Sequence, residues 1–272
     1  MTGLFTHYRT WLPRALAQGT PPRWIASTVI LLIAGAAAAA YIRQVGLILD
    51  QTAPLPPPPL VCIDPGHPTT FNSGRQIVNG TTELEINWQV AVKLEQLLKD
   101  RYGIRVIKTR DDQETLMNNP ERAGVANEAG AVLMIRLHCD AGPNNGFTVY
   151  YPNRQGESLG VIGPAQDVIE ESRSAAFLVH SGMSEILRDV LKDRGVMGES
   201  RTKVGRMQGA LTGSVFSEVP VVTVEMVFLT NRSDAEFIKD EGGQDLMAHA
   251  LANGIMAYVQ SLPKERGAHP AP

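Results

Sequence analysis

The sequence predicts a three-layer α/β domain, with a mostly parallel central sheet flanked by helices, and three observations predict it. Short apolar runs rich in β-branched residues alternate with stretches of helical spacing across residues 60–262. One of these runs, residues 219–224, is nearly unbroken valine, which suits a strand buried on both faces of a sheet. No internal repeat disturbs the alternation, and the overall composition is that of a globular protein.

The first element precedes the domain. Residues 24–42 carry no charge. As a helix they would be about 28 Å long, near the roughly 30 Å of a bilayer's hydrocarbon core. Arg9, Arg14 and Arg23 precede the stretch, and only Arg43 follows closely, which puts residues 1–23 in the cytoplasm and the rest outside. Two readings fit. One is a retained transmembrane signal anchor, supported by the long leading segment. The other is a signal peptide with its apolar core at residues 24–35 and cleavage in the alanine run 36–40. Either exports the C-terminal part. Residues 43–59 read as a linker whose prolines, Pro56 to Pro59, favour a stiff polyproline II spacer. The polar, proline-rich tail at 263–272 reads as disordered.

Within residues 60–262, Leu60 to Ile63 form an apolar run that meets a loop at Asp64-Pro65-Gly66-His67, so a buried strand is expected. Ile86, Val90, Leu94, Leu97 and Leu98 give residues 83–100 helical spacing, and Gly103 stops that helix. Residues 104–108 are the next strand. Pro120 opens a second helix. Residues 131–137 are a strand ending at His138, and residues 147–151 are another. Phe177, Leu178, Ile186, Leu187, Val190 and Leu191 mark a helix over 174–192. A strand at 219–224 and an amphipathic helix at 244–259 complete the set.

A chain of 272 residues with net charge −3 and no long basic run argues against nucleic acid as a partner. Cys62 and Cys139 are too few for a disulfide scaffold. A bridge between them is not expected. Cys62 is early in its strand and Cys139 past the end of its own, an offset of roughly 15 Å, against the roughly 4.4–6.8 Å between Cα atoms that a disulfide needs.

The unusual polar residues fall where the sheet ends. His67 follows the first strand, His138 closes the 131–137 strand and Glu225 closes the 219–224 strand. In open α/β sheets the active site is beyond the carboxyl ends of the strands. Glu83 begins the first helix of the domain and faces the same edge if the preceding loop folds back. Two histidines and a carboxylate are a common ligand set for catalytic zinc, and a further carboxylate can serve as general base. Taken singly, a histidine at a strand end is more often a satisfied polar residue. Glu225 stands after an apolar run, so it must find a partner or be neutralised.

These residues stand in motifs. Val61-Cys62-Ile63-Asp64-Pro65-Gly66-His67 resembles the opening motif of the zinc-dependent N-acetylmuramoyl-L-alanine amidases, the type-3 amidase family. Glu83-Leu84-Glu85-Ile86-Asn87-Trp88 resembles the second motif, and Thr109-Arg110-Asp111 the third. Met134-Ile135-Arg136-Leu137-His138-Cys139-Asp140-Ala141 resembles the strand-to-histidine motif, and the run from Pro220 through Glu225 to Asn231 the last. The five occur in the family's order and cover about residues 61–259. The resemblance implies Zn2+ held by His67, Glu83 and His138, with Glu225 as catalytic base. It implies hydrolysis of the amide between N-acetylmuramic acid and L-alanine, with peptidoglycan as the partner, outside the cytoplasmic membrane. The N-terminal helix would supply the membrane contact, and no motif identifies an activating protein.

Glu85 is an alternative ligand, but residues two apart on a helix point about 200° apart, so one of Glu83 and Glu85 at most faces a metal. The motif alignment selects Glu83. Cys139 neighbours His138 in extended chain and so points the other way. Asp64 has two readings, orienting a ligand histidine or capping a turn. Arg110, Arg122 and Arg136 are candidates for substrate carboxylates, with structural pairing the commoner role for each, and His180 reads as surface or packing. Pro68 stands where the family often has glycine. The stretch between Tyr151 and Ser174 is too short for the autoinhibitory helix some relatives carry there, so no strong self-blocking element is expected. Two other functions stay open at this point: a zinc peptidase acting on the stem peptide, and an inactive wall-binding module.

Overall fold

The computed structural model describes residues 23–51 and 57–263. The chain divides into two units, Met1–Leu55 and Pro56–Pro272. In the first, α1 (Arg23–Gln51) is one helix. It contains the stretch expected to span a membrane, but among the described residues no helix is long and apolar enough to cross one. Gly35, the alanine run 36–40, Arg43 and Gln44 all lie within this helix. The helix continues through Gln51, into the segment expected as a linker at 43–59. The expected cytoplasmic segment, up to residue 22, and the tail from residue 264 lie outside the described residues.

The second unit opens with β1 (Leu60–Pro65), buried along its whole length. A long loop leads to α2 (Glu83–Tyr102), whose first turn is capped by Thr82, with its side chain accepting from the Glu85 amide. Gly103, at φ 63°, ends it in the left-handed conformation that glycine adopts freely. Then come β2 (Arg105–Lys108), α3 (Asn119–Glu128), β3 (Leu133–Asp140) and β4 (Phe147–Tyr151). A hairpin of β5 (Gly156–Ser158) and β6 (Val161–Gly163) precedes α4 (Gln166–Leu187), β7 (Asp193–Gly198), α5 (Lys203–Gln208) and α6 (Thr212–Val215). The chain closes with β8 (Val221–Phe228), α7 (Arg232–Lys239) and α8 (Glu241–Ser261).

The main sheet has the order β2-β1-β3-β8-β4-β7. Strands β2, β1, β3 and β8 are parallel, β4 runs antiparallel to β8, and β7 pairs parallel with β4. Alternation of side chains sorts the two faces. Val61, Ile63, Leu133, Ile135, Leu137, Val222 and Val224 join α2, α4 and α8 in the large core. Cys62, Met134 and Val221 face the opposite side, with Ala126 of α3. By the same parity Asp64, Arg136, His138, Thr223 and Glu225 belong to that second face, and the polar strip they form carries the site.

Three sequence expectations are corrected. α4 starts at Gln166, not Ser174, because Val168, Ile169 and Ser172 already carry its buried face. His138 and Glu225 are inside β3 and β8 rather than at their ends, since pairing continues to Asp140 and Phe228. The elements β5 to β7 and α5 to α7 went unforeseen, as those segments are short, none longer than eight residues.

Candidate metal centre and active site

The loop after β1, the start of α2 and the end of β3 bring three side chains to one point. Glu83 Oε2 is 3.1 Å from His67 Nε2, and Glu83 Oε1 is 2.9 Å from His138 Nδ1. The two imidazoles meet edge to face, 5.2 Å between ring centres. One nitrogen or oxygen from each of the three lies within 4.8 Å of the others, a spacing that a single metal ion can share. His67 Nδ1 is 3.2 Å from the Asn72 carbonyl, to which it donates, and this leaves the Nε2 lone pair for the shared point. A carboxylate and two imidazole lone pairs facing one another require positive charge between them, either protons or a cation.

Local backbone makes this approach possible. His67 has φ 63°, a left-handed conformation uncommon outside glycine. A Cβ on Gly66 would fall 2.4 Å from the His138 ring, so only glycine lets the β1 loop pass so close to that ligand candidate. Asn87, one turn on from Glu83, donates to the Gly66 carbonyl at 3.3 Å, and the Cys139 amide donates to Glu83 Oε1 at 3.2 Å. Burial raises Glu83's carboxyl pKa, but hydrogen bonds from His138 and His67 and their charge outweigh that and hold it well below the usual range. Burial also lowers His138, opposed by Glu83.

Below this cluster is an ionic node. Asp64 is fully buried, and it accepts from Arg122 Nη1 at 2.6 Å, Arg136 Nε at 3.0 Å and Thr109 Oγ1 at 2.7 Å. Arg122 also donates to the Pro65 and Pro68 carbonyls, which bracket Gly66 and His67. Arg110 donates to the Pro65 carbonyl at 3.0 Å and stacks over Trp88. Asp64 therefore neither orients a histidine directly nor caps a turn. Arg110 and Arg122 support the His67 loop, Arg136 pairs with Asp64 and with Asn119 of α3, and Arg122 and Arg136 also line the cavity described next.

Glu225 stands in register with His138 on the neighbouring strand, on the same face. It lines a cavity of about 1080 Å3 together with His67, Glu83 and His138. The loop residues Thr69 to Asn72, the start of α3, Leu159 of the hairpin turn and Leu211 to Gly213 form its walls. Glu225 Oε2 is buried without a hydrogen-bond partner among the described residues. Burial pushes its carboxyl well above the usual range, and the charges of Glu83 and Asp140 add to this against Arg136. Three carboxylates thus converge where a cation would relieve them, so the donor set and its charge both fit a divalent metal.

Glu199 is a further buried carboxylate. It holds the far wall, accepting from the Leu211 amide at 2.8 Å and Ser214 Oγ at 2.6 Å. Burial raises its pKa to about 7, against those two hydrogen bonds and Arg136. A folded pKa above the unfolded one means that the folded state holds the extra proton. The associated stability is full below the ordinary glutamate pKa and lost as pH rises through about 7. Glu199→Gln should remove that slope. Between pH 5 and pH 8, urea unfolding of wild type should lose on the order of 2–3 kcal/mol relative to the variant. Parallel curves would show that Glu199 does not titrate in this range.

The structure brings together all four residues singled out in the sequence: His67, Glu83, His138 and Glu225. Glu85 turns away to Gln89 and Thr81. Cys139 packs in the large core, and both cysteines are free and buried. His180 is paired with Asp193 at 2.7 Å, linking α4 to β7. Asn87, Asp140 and Thr223 were not foreseen. Spacing could have found them: Asn87 is four residues from Glu83 on one helix face, and Asp140 and Thr223 are two residues from His138 and Glu225 on the same strand faces.

A family model described as N-acetylmuramoyl-L-alanine amidase matches residues 61–257. An N-acetylmuramoyl-L-alanine amidase of Mycobacterium tuberculosis is 25% identical over 231 residues, covering 76% of this chain and 89% of that protein. The amidase LytC of Bacillus subtilis is 27% identical over 204 residues, covering 74% of this chain but 35% of LytC. In fold, the chain is similar to the crystal structure of an N-acetylmuramyl-L-alanine amidase from Mycobacterium smegmatis, with TM-score 0.61, 20% identity, and 77% of this chain and 100% of that one covered.

Proposed function

Since this chain belongs to the N-acetylmuramoyl-L-alanine amidase family, we propose that it hydrolyses the amide joining the lactyl group of N-acetylmuramic acid to L-alanine in peptidoglycan, with zinc held by His67, Glu83 and His138 and with Glu225 as general base. One observation carries the reading: two imidazoles and a carboxylate converge beside an unpaired carboxylate in a single cavity. When bound, zinc supplies Lewis acidity for the scissile carbonyl and makes water acidic enough to be used near neutral pH. Glu225 accepts the proton of the attacking water on its carboxylate. Water oxygen bonds to the carbonyl carbon, the C–N bond breaks, and Glu225 returns its proton to the departing alanine nitrogen. His67 keeps its Nε2 lone pair turned inward by donating from Nδ1 to the Asn72 carbonyl, and the bare Gly66 leaves the His138 ring room beside the loop. The Asp64–Arg122 pair holds the loop that presents His67.

Peptidoglycan amidases act outside the cytoplasmic membrane, and the chain's catalytic unit belongs there with its substrate. We read residues 24–42 as the exporting element, retained as an anchor or cleaved, on the strength of their lack of charge and the arginines before them. Fractionating cells that express the full chain separates the two outcomes.

Products test the chemistry. Purified sacculi digested by the zinc-loaded full chain should release stem peptides with a free N-terminal L-alanine and leave glycan strands with bare lactyl groups. Shortened stems still joined to sugar would instead identify a peptidase and overturn the amidase reading.

A further inference from the structure

Glu225 sits in an unusual polar pocket of its own. Four buried side-chain polar atoms among the described residues have no hydrogen-bond partner, and three of them cluster here: Glu225 Oε2, Thr148 Oγ1 and Thr223 Oγ1. The sheet explains the clustering. Thr148 of β4 is the direct antiparallel partner of Glu225, so their Cβ atoms stand about 5 Å apart on one face. Thr223 precedes Glu225 by two residues on β8 and shares that face. His138 flanks Glu225 from the other side. Both threonines are almost completely buried, at 1% and 2% exposure.

A buried hydroxyl without a partner loses hydration and gains nothing in return. Valine fills nearly the same volume without that penalty, and the rest of β8 around Thr223 is valine. Two such hydroxyls beside an unpaired carboxylate oxygen make a set of three polar atoms, which is the usual number that one buried water satisfies. We propose that Thr148 and Thr223 are positioning residues for Glu225: their hydroxyls, through one shared buried water, hold Oε2 and keep the carboxylate turned toward the cavity. The carboxylate then reaches the attacking water without first having to reorient. This rests on Glu225 serving as the base.

The test compares Thr→Val with Thr→Ser at both positions. Serine keeps the hydroxyl and valine keeps the shape. With a soluble muropeptide as substrate, T148V/T223V should lower kcat by about tenfold or more while KM, bound zinc and Tm stay close to wild type. T148S/T223S should stay within about threefold of wild type. The single variants T148V and T223V should each show part of the loss. In an E225Q background, the added valines should change the residual rate by less than about twofold, because the group they position is gone. A wild-type kcat in T148V/T223V, or an equal loss in the serine pair, overturns the proposal. E225Q alone separates the two levels. If it keeps wild-type activity, the assignment of Glu225 as base fails; if it is inactive while the valine variants are not, only the positioning role fails.

Discussion

Replacing Glu225 by glutamine is expected to lower kcat by about 100-fold to 10,000-fold while leaving bound zinc and the fold in place. Glutamine has the same shape and can make the same contacts, but it cannot take a proton from water. Among the described residues Glu225 Oε2 has no direct protein partner, so the change breaks no direct hydrogen bond there. It also removes a carboxylate that burial and the neighbouring charges of Glu83 and Asp140 disfavour, so Tm should hold or rise slightly. The check is kcat on a defined muropeptide together with metal content and thermal unfolding. Activity within about tenfold of wild type would mean that another group carries the proton.

Asp64→Asn should have the largest effect on stability. The aspartate is fully buried between Arg122 and Arg136, and asparagine leaves two buried guanidinium groups without a counter-charge. Breaking a buried pair in this way costs about 3–5 kcal/mol. Burial alone would raise this carboxyl's pKa, but the charges of Arg122 and Arg136, with the hydrogen bonds from Thr109 and Arg122, hold it far below the usual range. A folded pKa below the unfolded one means that the stabilisation is complete above the ordinary aspartate pKa. It is lost as pH falls through the folded value. Wild type should therefore lose stability in strong acid more steeply than the variant does. Because Arg122 also ties down the Pro65 and Pro68 carbonyls, a second consequence is expected at the metal. Zinc affinity should fall by roughly 10-fold to 100-fold, as when a supporting partner of a metal ligand is removed. Urea unfolding across pH and a zinc competition titration check the two halves. A variant as stable as wild type at neutral pH would show that the node is not structural.

These two residues also show how the sequence was legible and where it was not. Glu225 stands out because a charge ends a run of valines, and such a break in a buried strand is visible without coordinates. His138 could be placed by the same logic, and the parallel register of β3 and β8 then sets the two side by side. Glu83 needed the motif, since its approach depends on a long loop whose course no periodicity reports. Asp64 was singled out for a different role from the one it has. Its partners Arg122 and Arg136 come from a helix and a strand far along the chain, and long-range ion pairs leave no local spacing. The sheet was legible where strands were apolar runs. It was not at β7, whose Asp193-Arg194-Gly195 opening is polar and carries no alternation. The antiparallel insertion of β4 beside β8 likewise has no signature in hydrophobic pattern alone.

The claim at the centre is that His67, Glu83 and His138 together hold one zinc ion. X-ray absorption at the zinc edge, on the full chain loaded with one equivalent of metal, tests it most directly. Two imidazole nitrogens and a carboxylate oxygen, all at about 2.0–2.2 Å, are the expected first coordination shell, and His138→Ala should lose one of the nitrogens. A sulfur ligand at about 2.3 Å, or a spectrum unchanged by His138→Ala, would contradict it.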